Sequence, residues 1–236
     1  FTKSFSRLSA LEYVRDVLVN KLKVKHIIVG YDHHFGRNRT ANIEDLREYG
    51  DFYGFEVTEI MPQEVDDVAV SSTKIRNALF KGDVKIANKF LGYNFSLTGK
   101  VKKGRGIGST IDFPTANINI EEPYKLIPNS GVYLIKAMIK GLYFFGMMNI
   151  GNNPTVSEDN RTNIEVHFFD FNYDIYGEVI KVELLDYLRN EIKFPSVLAL
   201  KEQLKKDEIN AKHLIDLIFK IWFANIQLIK FVFKLA

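Results

Sequence analysis

Ile164-Glu165-Val166-His167-Phe168 alternates apolar and polar side chains with a period of two. A strand of that pattern turns Ile164, Val166 and Phe168 to one face for packing. It turns Glu165 and His167, with Phe169 beyond them, to the other, where a site can form. Outward from it, residues 132–139, 143–150 and 180–185 are further short alternating segments separated by Gly, Pro and Asn. From Ser96 onward the chain is therefore predicted to be a mostly antiparallel barrel or sandwich. Ser196 can start a final helix through Val197, Leu200 and Leu204, suited to covering an open face or end of the barrel.

Upstream of the Glu165 strand stand Phe113-Pro114-Thr115-Ala116-Asn117 and, just before them, the turn Gly104-Arg105-Gly106-Ile107-Gly108. Together the three pieces outline a phosphoryl-transfer site. Glycines let the backbone approach phosphates, the Thr115 hydroxyl and Asn117 carbonyl are hard oxygen ligands suited to magnesium, and the Glu165 carboxylate can take a proton from an attacking alcohol. No Lys-Ser/Thr follows the glycines, which excludes a P-loop, and no helix follows to make a dinucleotide fingerprint. Each piece also has a plainer reading alone: a flexible β-turn, a proline-containing strand entry, a solvent-facing strand residue.

The first third of the chain reads differently. Ser9-Ala10-Leu11-Glu12 is a capping-box signature, and Leu11, Val14, Leu18 and Leu22 continue on one helical face. A short apolar run, His26-Ile27-Ile28-Val29, closes at Gly30, a helical stretch follows near 43–49, and residues 55–60 are strand-like. Strands alternating with helices imply parallel βαβ packing. A third helix is expected to begin at Ser71 or Ser72 and stop before Gly82, and a fourth, capped by Asp83, to stop before Gly92, ending the first domain near residue 92.

Two segments here carry candidate chemistry. Gly30-Tyr31-Asp32-His33-His34-Phe35-Gly36 leaves the C-terminal end of a predicted parallel strand, where ligands bind in open α/β sheets. Ser71-Ser72-Thr73-Lys74-Ile75-Arg76 puts hydroxyls and free amides at a helix N-terminus with Arg76 in reach, an arrangement suited to a nucleotide's phosphates, although an ordinary Ser cap with a solvated Arg has the same sequence. Adjacent His33 and His34 diverge and lack a third ligand, so no metal pair is expected.

Composition narrows the classes. With 32 basic and 29 acidic residues among 236, the net charge of +3 is too balanced for nucleic-acid binding driven by bulk electrostatics, while small anionic ligands remain compatible. The absence of Cys excludes a disulfide framework and a thiolate metal site and fits a cytoplasmic location. Residues 214–236 are very apolar, but Asp216, Lys220 and Lys230 interrupt them short of the roughly 20 residues that a bilayer span needs. They are expected to form an amphipathic helix packed on its own domain, without stable membrane insertion. The opening Phe1-Thr2-Lys3, without Met, suggests an N-terminal truncation.

The ordered set of motifs resembles the bacterial bifunctional riboflavin kinase/FAD synthetase family. Gly99-Lys100-Val101, Gly104 and Phe113-Pro114-Thr115-Ala116-Asn117 resemble its kinase phosphate and magnesium motif, and Asn149-Ile150-Gly151-Asn152-Asn153-Pro154-Thr155 its connecting strand and turn. Glu165-Val166-His167, Asp170-Phe171, Tyr176-Gly177 and Leu188-Arg189-Asn190-Glu191-Ile192-Lys193-Phe194 follow in the family's order. The resemblance covers residue 1 to about 213 and implies an α/β plus β architecture. Residues 1–92 would be the C-terminal half of a Rossmann-like FMN adenylyltransferase domain. Residues 93–213 would be a Greek-key β-barrel riboflavin kinase domain with a C-terminal helix, leaving 214–236 as an apolar helix of unassigned role.

The resemblance further implies that Thr115 and Asn117 bind Mg2+ and ATP phosphates beside Gly104, Gly106 and Gly108, that Glu165 activates the riboflavin 5′-hydroxyl, and that Arg189 and Glu191 contact flavin. By the sequence alone, Arg189 and Glu191 are an exposed ion pair ahead of a helix. Gly30, Asp32, Ser71, Ser72, Thr73 and Arg76 would be the remaining adenylyltransferase nucleotide-binding residues. Riboflavin, ATP and FMN would be substrates or products.

Two departures stand out. Ile107-Gly108-Ser109 and Ile111-Asp112-Phe113 replace the family's arginine-rich approach to the Pro-Thr-Ala-Asn segment, and nothing before Phe1 supplies the first strand and histidine motif of the FAD synthetase half. FMN formation with impaired FAD formation is expected. A flavin- or nucleotide-binding protein without turnover is the alternative, and a barrel that binds single-stranded nucleic acid through Lys100, Lys102, Lys103 and Arg105 is a remote third.

Overall fold

The computed structural model describes residues 2–61, 64–66, 68–104, 108–152 and 162–235. Its chain divides into two compact units, Phe1–Ser71 and Ser72–Ala236.

In the first unit the Ser9 capping box forms as expected: Ser9 Oγ accepts from Glu12 N at 3.2 Å, and the Glu12 carboxylate accepts from Ser9 N at 2.8 Å. It starts α1 (Ala10–Glu12), and the helix continues through Tyr13–Lys21 with i→i+5 bonding. Of the expected stripe, Val14 and Leu18 are buried, whereas Leu11 and Leu22 are exposed. The wider turn no longer stacks residues three and four apart on one line. Strand β1 (His26–Gly30) pairs in parallel with β2 (Glu56–Ile60), and α2 (Ile43–Tyr53), capped by Asn42, connects them. Val29, Phe35, Leu46 and Phe55 close a small core beneath. A short hairpin, β3 (Glu64–Val65) and β4 (Val68–Ala69), follows.

The second unit opens with α3 (Ser72–Phe80) and α4 (Val84–Leu91). Asp83 caps α4 by accepting from Ile86 N at 3.3 Å. Ala78, Leu79 and Ala87 pack with Phe95 and Leu126, and Asn88 Nδ2 donates to Leu184 O at 2.8 Å, so both helices are fastened to the barrel that follows.

Six strands form that barrel: β5 (Ser96–Lys102), β6 (Ala116–Asn119), β7 (Gly131–Ile139), β8 (Leu142–Asn152), β9 (Thr162–Phe168) and β10 (Val179–Arg189). The closed order is β10-β5-β6-β9-β8-β7, antiparallel throughout. Strands β7, β8 and β9 run as consecutive neighbours and β10 returns beside β7, which is a Greek key. Ile164, Val166 and Phe168 point into a core with Tyr133, Ile135, Met148 and Leu184, as the alternation predicts. Strand β10 carries two register shifts against β7, between Leu184 and Asp186 and between Tyr187 and Arg189. The extra residues, Leu185 and Leu188, pack on the outer apolar cluster.

One continuous helix, α5 (Val197–Leu235), ends the chain. Its Leu200, Leu204 and Ala211 pack on Phe113, Val132, Leu134, Met147 and Phe169, outside the barrel wall. Among the described residues no helix is long and apolar enough to cross a membrane.

Candidate functional site

Register places the site. Across the barrel Asn117 pairs with Glu165, Glu165 with Asn149, Asn149 with Val132, and Val132 with Arg189. Registered partners on adjacent strands share a face, and strands are spaced by about 4.8 Å, so these five residues form one row across β6, β9, β8, β7 and β10. Glu165 sits between two carboxamides. Four members of the row, all but Asn117, line a cleft of about 280 Å³ that Gly108, Thr115, His167, Glu191, Phe194 and the α5 leucines Leu200 and Leu204 complete.

The expected residues therefore converge in part. Glu165, Thr115, Gly108, Arg189 and Glu191 line this cleft. Asn117 adjoins it through its pairing with Glu165. Gly104 lies against Asn117: a Cβ there would meet Asn117 Nδ2, so a larger residue has to push the carboxamide aside. Gly106 lies outside the described residues, as do Arg105, Ile107 and the stretch Asn153-Pro154-Thr155.

Hydrogen bonds fix the polar groups. Asn163 Nδ2 donates to Glu165 Oε1 at 2.7 Å. His167 Nδ1 lies 2.9 Å from the Pro114 carbonyl. A carbonyl only accepts, so Nδ1 carries the proton, and in the neutral ring Nε2 is an acceptor. This bond ties the segment entering Thr115 to β9. Glu191 rests against Gly151, where a Cβ would lie 2.5 Å from Glu191 Oε1 and 3.1 Å from Asn149 Nδ2.

Arg189 and Glu191 do not pair with each other. The Arg189 guanidinium instead binds Asp207 of α5, with Nε 3.0 and 2.9 Å from its two oxygens and a terminal nitrogen at 2.8 Å. Asp112, the departure at the approach to Thr115, has φ +66° and turns to Lys201 Nζ at 2.6 Å. The Lys201 hydrogen bond and charge hold its carboxyl below the usual carboxylate range.

Thr115 is also in the wall of a second cleft, about 410 Å³, that Phe171, Tyr173 and Tyr176 line with it. Lys103 Nζ lies 5.3 Å from the Tyr176 ring centroid.

In the first unit Gly30 ends β1 and Asp32 follows in the turn, its carbonyl accepting from His34 Nδ1 at 3.0 Å. His33 stacks on Phe35 at 5.9 Å, and its pKa is lowered by burial and by the nearby charges of His34 and Arg39. Ser72, Thr73 and Arg76 begin α3 in the second unit, while Ser71 belongs to the first.

Sequence reasoning missed three contributors. Asn149 reaches the row only through its register with Glu165, and alternation gives the face of His167 but not its link to Pro114. Asp207 was not singled out. Among the charged residues Lys201, Glu202, Lys205, Lys206 and Glu208 around it, nothing in the sequence marks Asp207 as the one that is buried on docking.

Comparison with known proteins supplies the context. A riboflavin kinase family model matches residues 91–215 and an FAD synthetase model matches residues 1–74. A bifunctional riboflavin kinase/FMN adenylyltransferase of Listeria monocytogenes is 41% identical over 208 residues, covering 88% of this chain and 65% of the relative. The protein of the same description from Escherichia coli K12 is 36% identical over 218 residues, covering 92% and 69%. A crystal structure from Streptococcus pneumoniae, described as a macrolide-efflux protein, superposes with a TM-score of 0.75 at 37% identity, covering 90% of this chain and 67% of that one. The chain thus spans about two thirds of the length of the curated relatives it matches.

Proposed function

Since the chain belongs to the riboflavin kinase family, with residues 91–215 matching that family's model, we propose that it transfers the γ-phosphoryl group of ATP to the 5′-hydroxyl of riboflavin, giving FMN and ADP. The observation that carries this reading is the row Asn117–Glu165–Asn149 beside Thr115, the residue that lines both the largely apolar cleft and the aromatic one. Two substrates of different shape can then meet at one wall.

In this reading flavin occupies the cleft of Glu165, Arg189 and Glu191, and the adenine of ATP rests among Phe171, Tyr173 and Tyr176. Glu165 accepts the proton of the 5′-hydroxyl as its oxygen bonds to the γ-phosphorus and the bond to the β-phosphate bridge breaks. ADP leaves, and the proton passes to solvent. The Thr115 hydroxyl and the Asn117 carboxamide oxygen are hard ligands that fit Mg2+, and an extended chain puts them on one face, leaving the Glu165 carboxylate for the proton. Mg2+ held there would neutralise phosphate charge. Gly104 and Gly108 keep the backbone close to the phosphates, with Gly106 between them in sequence.

Residues 93–213 are read as the kinase domain and 1–92 as part of an FMN adenylyltransferase domain, for which Gly30, Asp32 and Ser71 of the first unit and Ser72, Thr73 and Arg76 of the second are separate nucleotide-binding candidates. Residues 214–236 extend α5 without an assigned role. The partners are small molecules, with no nucleic acid and no membrane insertion, and an ATP donor together with a Cys-free chain supports a cytoplasmic enzyme.

Chromatography of riboflavin, ATP and Mg2+ incubated with the chain, resolving FMN from FAD, tests the proposal. FMN supports the kinase reading. Folded protein that binds riboflavin without forming FMN overturns it in favour of a binding protein, and FAD would show that the residues of 1–92 suffice for adenylyl transfer.

A further inference from the structure

Arg189 lines the cleft of Glu165 and Glu191, yet much of its bonding capacity is already taken. Its Nε edge is taken by Asp207, and a terminal nitrogen donates to Asn190 O at 2.9 Å. The Phe194 ring centroid lies 5.8 Å from the guanidinium carbon. Asp207 is the buried charged side chain among the described residues, at 5% exposure, and Gln203, one helical turn earlier, donates to its Oδ1 at 2.8 Å.

A carboxylate so placed does two things. It fixes the plane of the guanidinium, and it cancels the charge that would otherwise draw an anion. Glu165 and Glu191 on the same cleft oppose an anion further. What Arg189 can still offer is a flat, oriented surface with residual N–H groups, which suits an uncharged planar ring system.

We infer that Asp207 of α5 is a positioning residue that, through Arg189, sets the cleft's preference for the uncharged tricyclic ring of a flavin. This rests on the riboflavin kinase reading for the identity of the ligand. Helix α5 is then part of the recognition machinery, contributing a charge as well as the apolar wall of Leu200 and Leu204.

The test measures riboflavin and ATP KM values, together with the affinity for lumichrome, which keeps a flavin-like ring and lacks the ribityl chain that is phosphorylated. Asp207→Asn is expected to raise riboflavin KM and lumichrome Kd by roughly tenfold, the worth of one charge-assisted hydrogen bond, with ATP KM within about twofold. Arg189→Met should lose as much, and Arg189→Met/Asp207→Leu no more than Arg189→Met alone, because Asp207 acts only through Arg189. An unchanged lumichrome Kd in folded Asp207→Asn overturns the inference, as do losses that add in the double variant. Should Asp207→Asn fail to fold, the charge-free double variant compared with Arg189→Met decides by the same criterion. Lumichrome binding with the expected losses but no FMN formation would support the ring assignment while overturning the kinase reading. No lumichrome binding by the unaltered chain overturns the inference itself.

Discussion

Glu165 is held by three strands at once: its own, and the two that present Asn117 and Asn149 opposite it. Replacing it with Gln preserves shape and the position of the Asn163 partner while removing the base. Turnover should fall by roughly two to four powers of ten, with riboflavin affinity retained in a fluorescence titration. Nearly unchanged turnover would remove Glu165 from the role. Gly104 allows an independent probe, because a Cβ there meets the Asn117 carboxamide. Gly104→Ala should raise ATP KM by roughly tenfold and leave riboflavin KM within about twofold, since the displaced group serves the phosphate side. Glu165, Thr115 and Arg189 were legible as residues because their types and order carry chemistry. The groups around them were not, since Asn149 reaches Glu165 through strand register, Asp207 reaches Arg189 through helix docking, and the tie between His167 and Pro114 O ahead of Thr115 spans two strands.

At the level of elements, period-two alternation located β7, β8, β9 and β10, and capping residues located α3 and α4. Strand β6 was harder to see. It has four residues, enters from Pro114, and is defined by its pairing with β5 and β9 rather than by apolar alternation. The helix from 197 onward is legible at its start, but its continuity past residue 213 is not, because the bound there follows the end of the family resemblance and no helix-stop signal stands near it. Its docking depends on small volume at one point. Ala211 is fully buried against the outer cluster. Ala211→Leu should overpack that contact and lower unfolding free energy by about 1–3 kcal/mol in denaturant titration. A change below about 0.5 kcal/mol would show that the helix can ride outward without loss.

For the whole molecule, closure of the barrel buries Tyr133 completely, edge-on to Tyr187 at 5.1 Å. Burial, and then the neighbouring Tyr187, push the Tyr133 hydroxyl well above its ordinary value of 10.0. A group whose folded pKa is raised contributes stability that is complete below the unfolded value and is lost as pH climbs above it. The melting temperature of the second unit should therefore start to fall above about pH 10, and the fall should be shallower in Tyr133→Phe. An equally steep fall in that variant would assign the alkaline loss to other groups.

Strand β10 completes this closure, and its two extra residues against β7 have a metric consequence. Each shift alone would turn every later side chain to the opposite face, whereas the pair restores the phase. The net effect is a slippage of two residues, about 7 Å of strand, that leaves facing unaltered. Arg189 thus stands level with Val132 rather than two places beyond it. Single-residue deletions in this strand should act as parity errors that turn Arg189 away from the cleft. Paired deletions at 185 and 188 should act as a pure translation, keeping the side chain outward but stopping it at the wrong height.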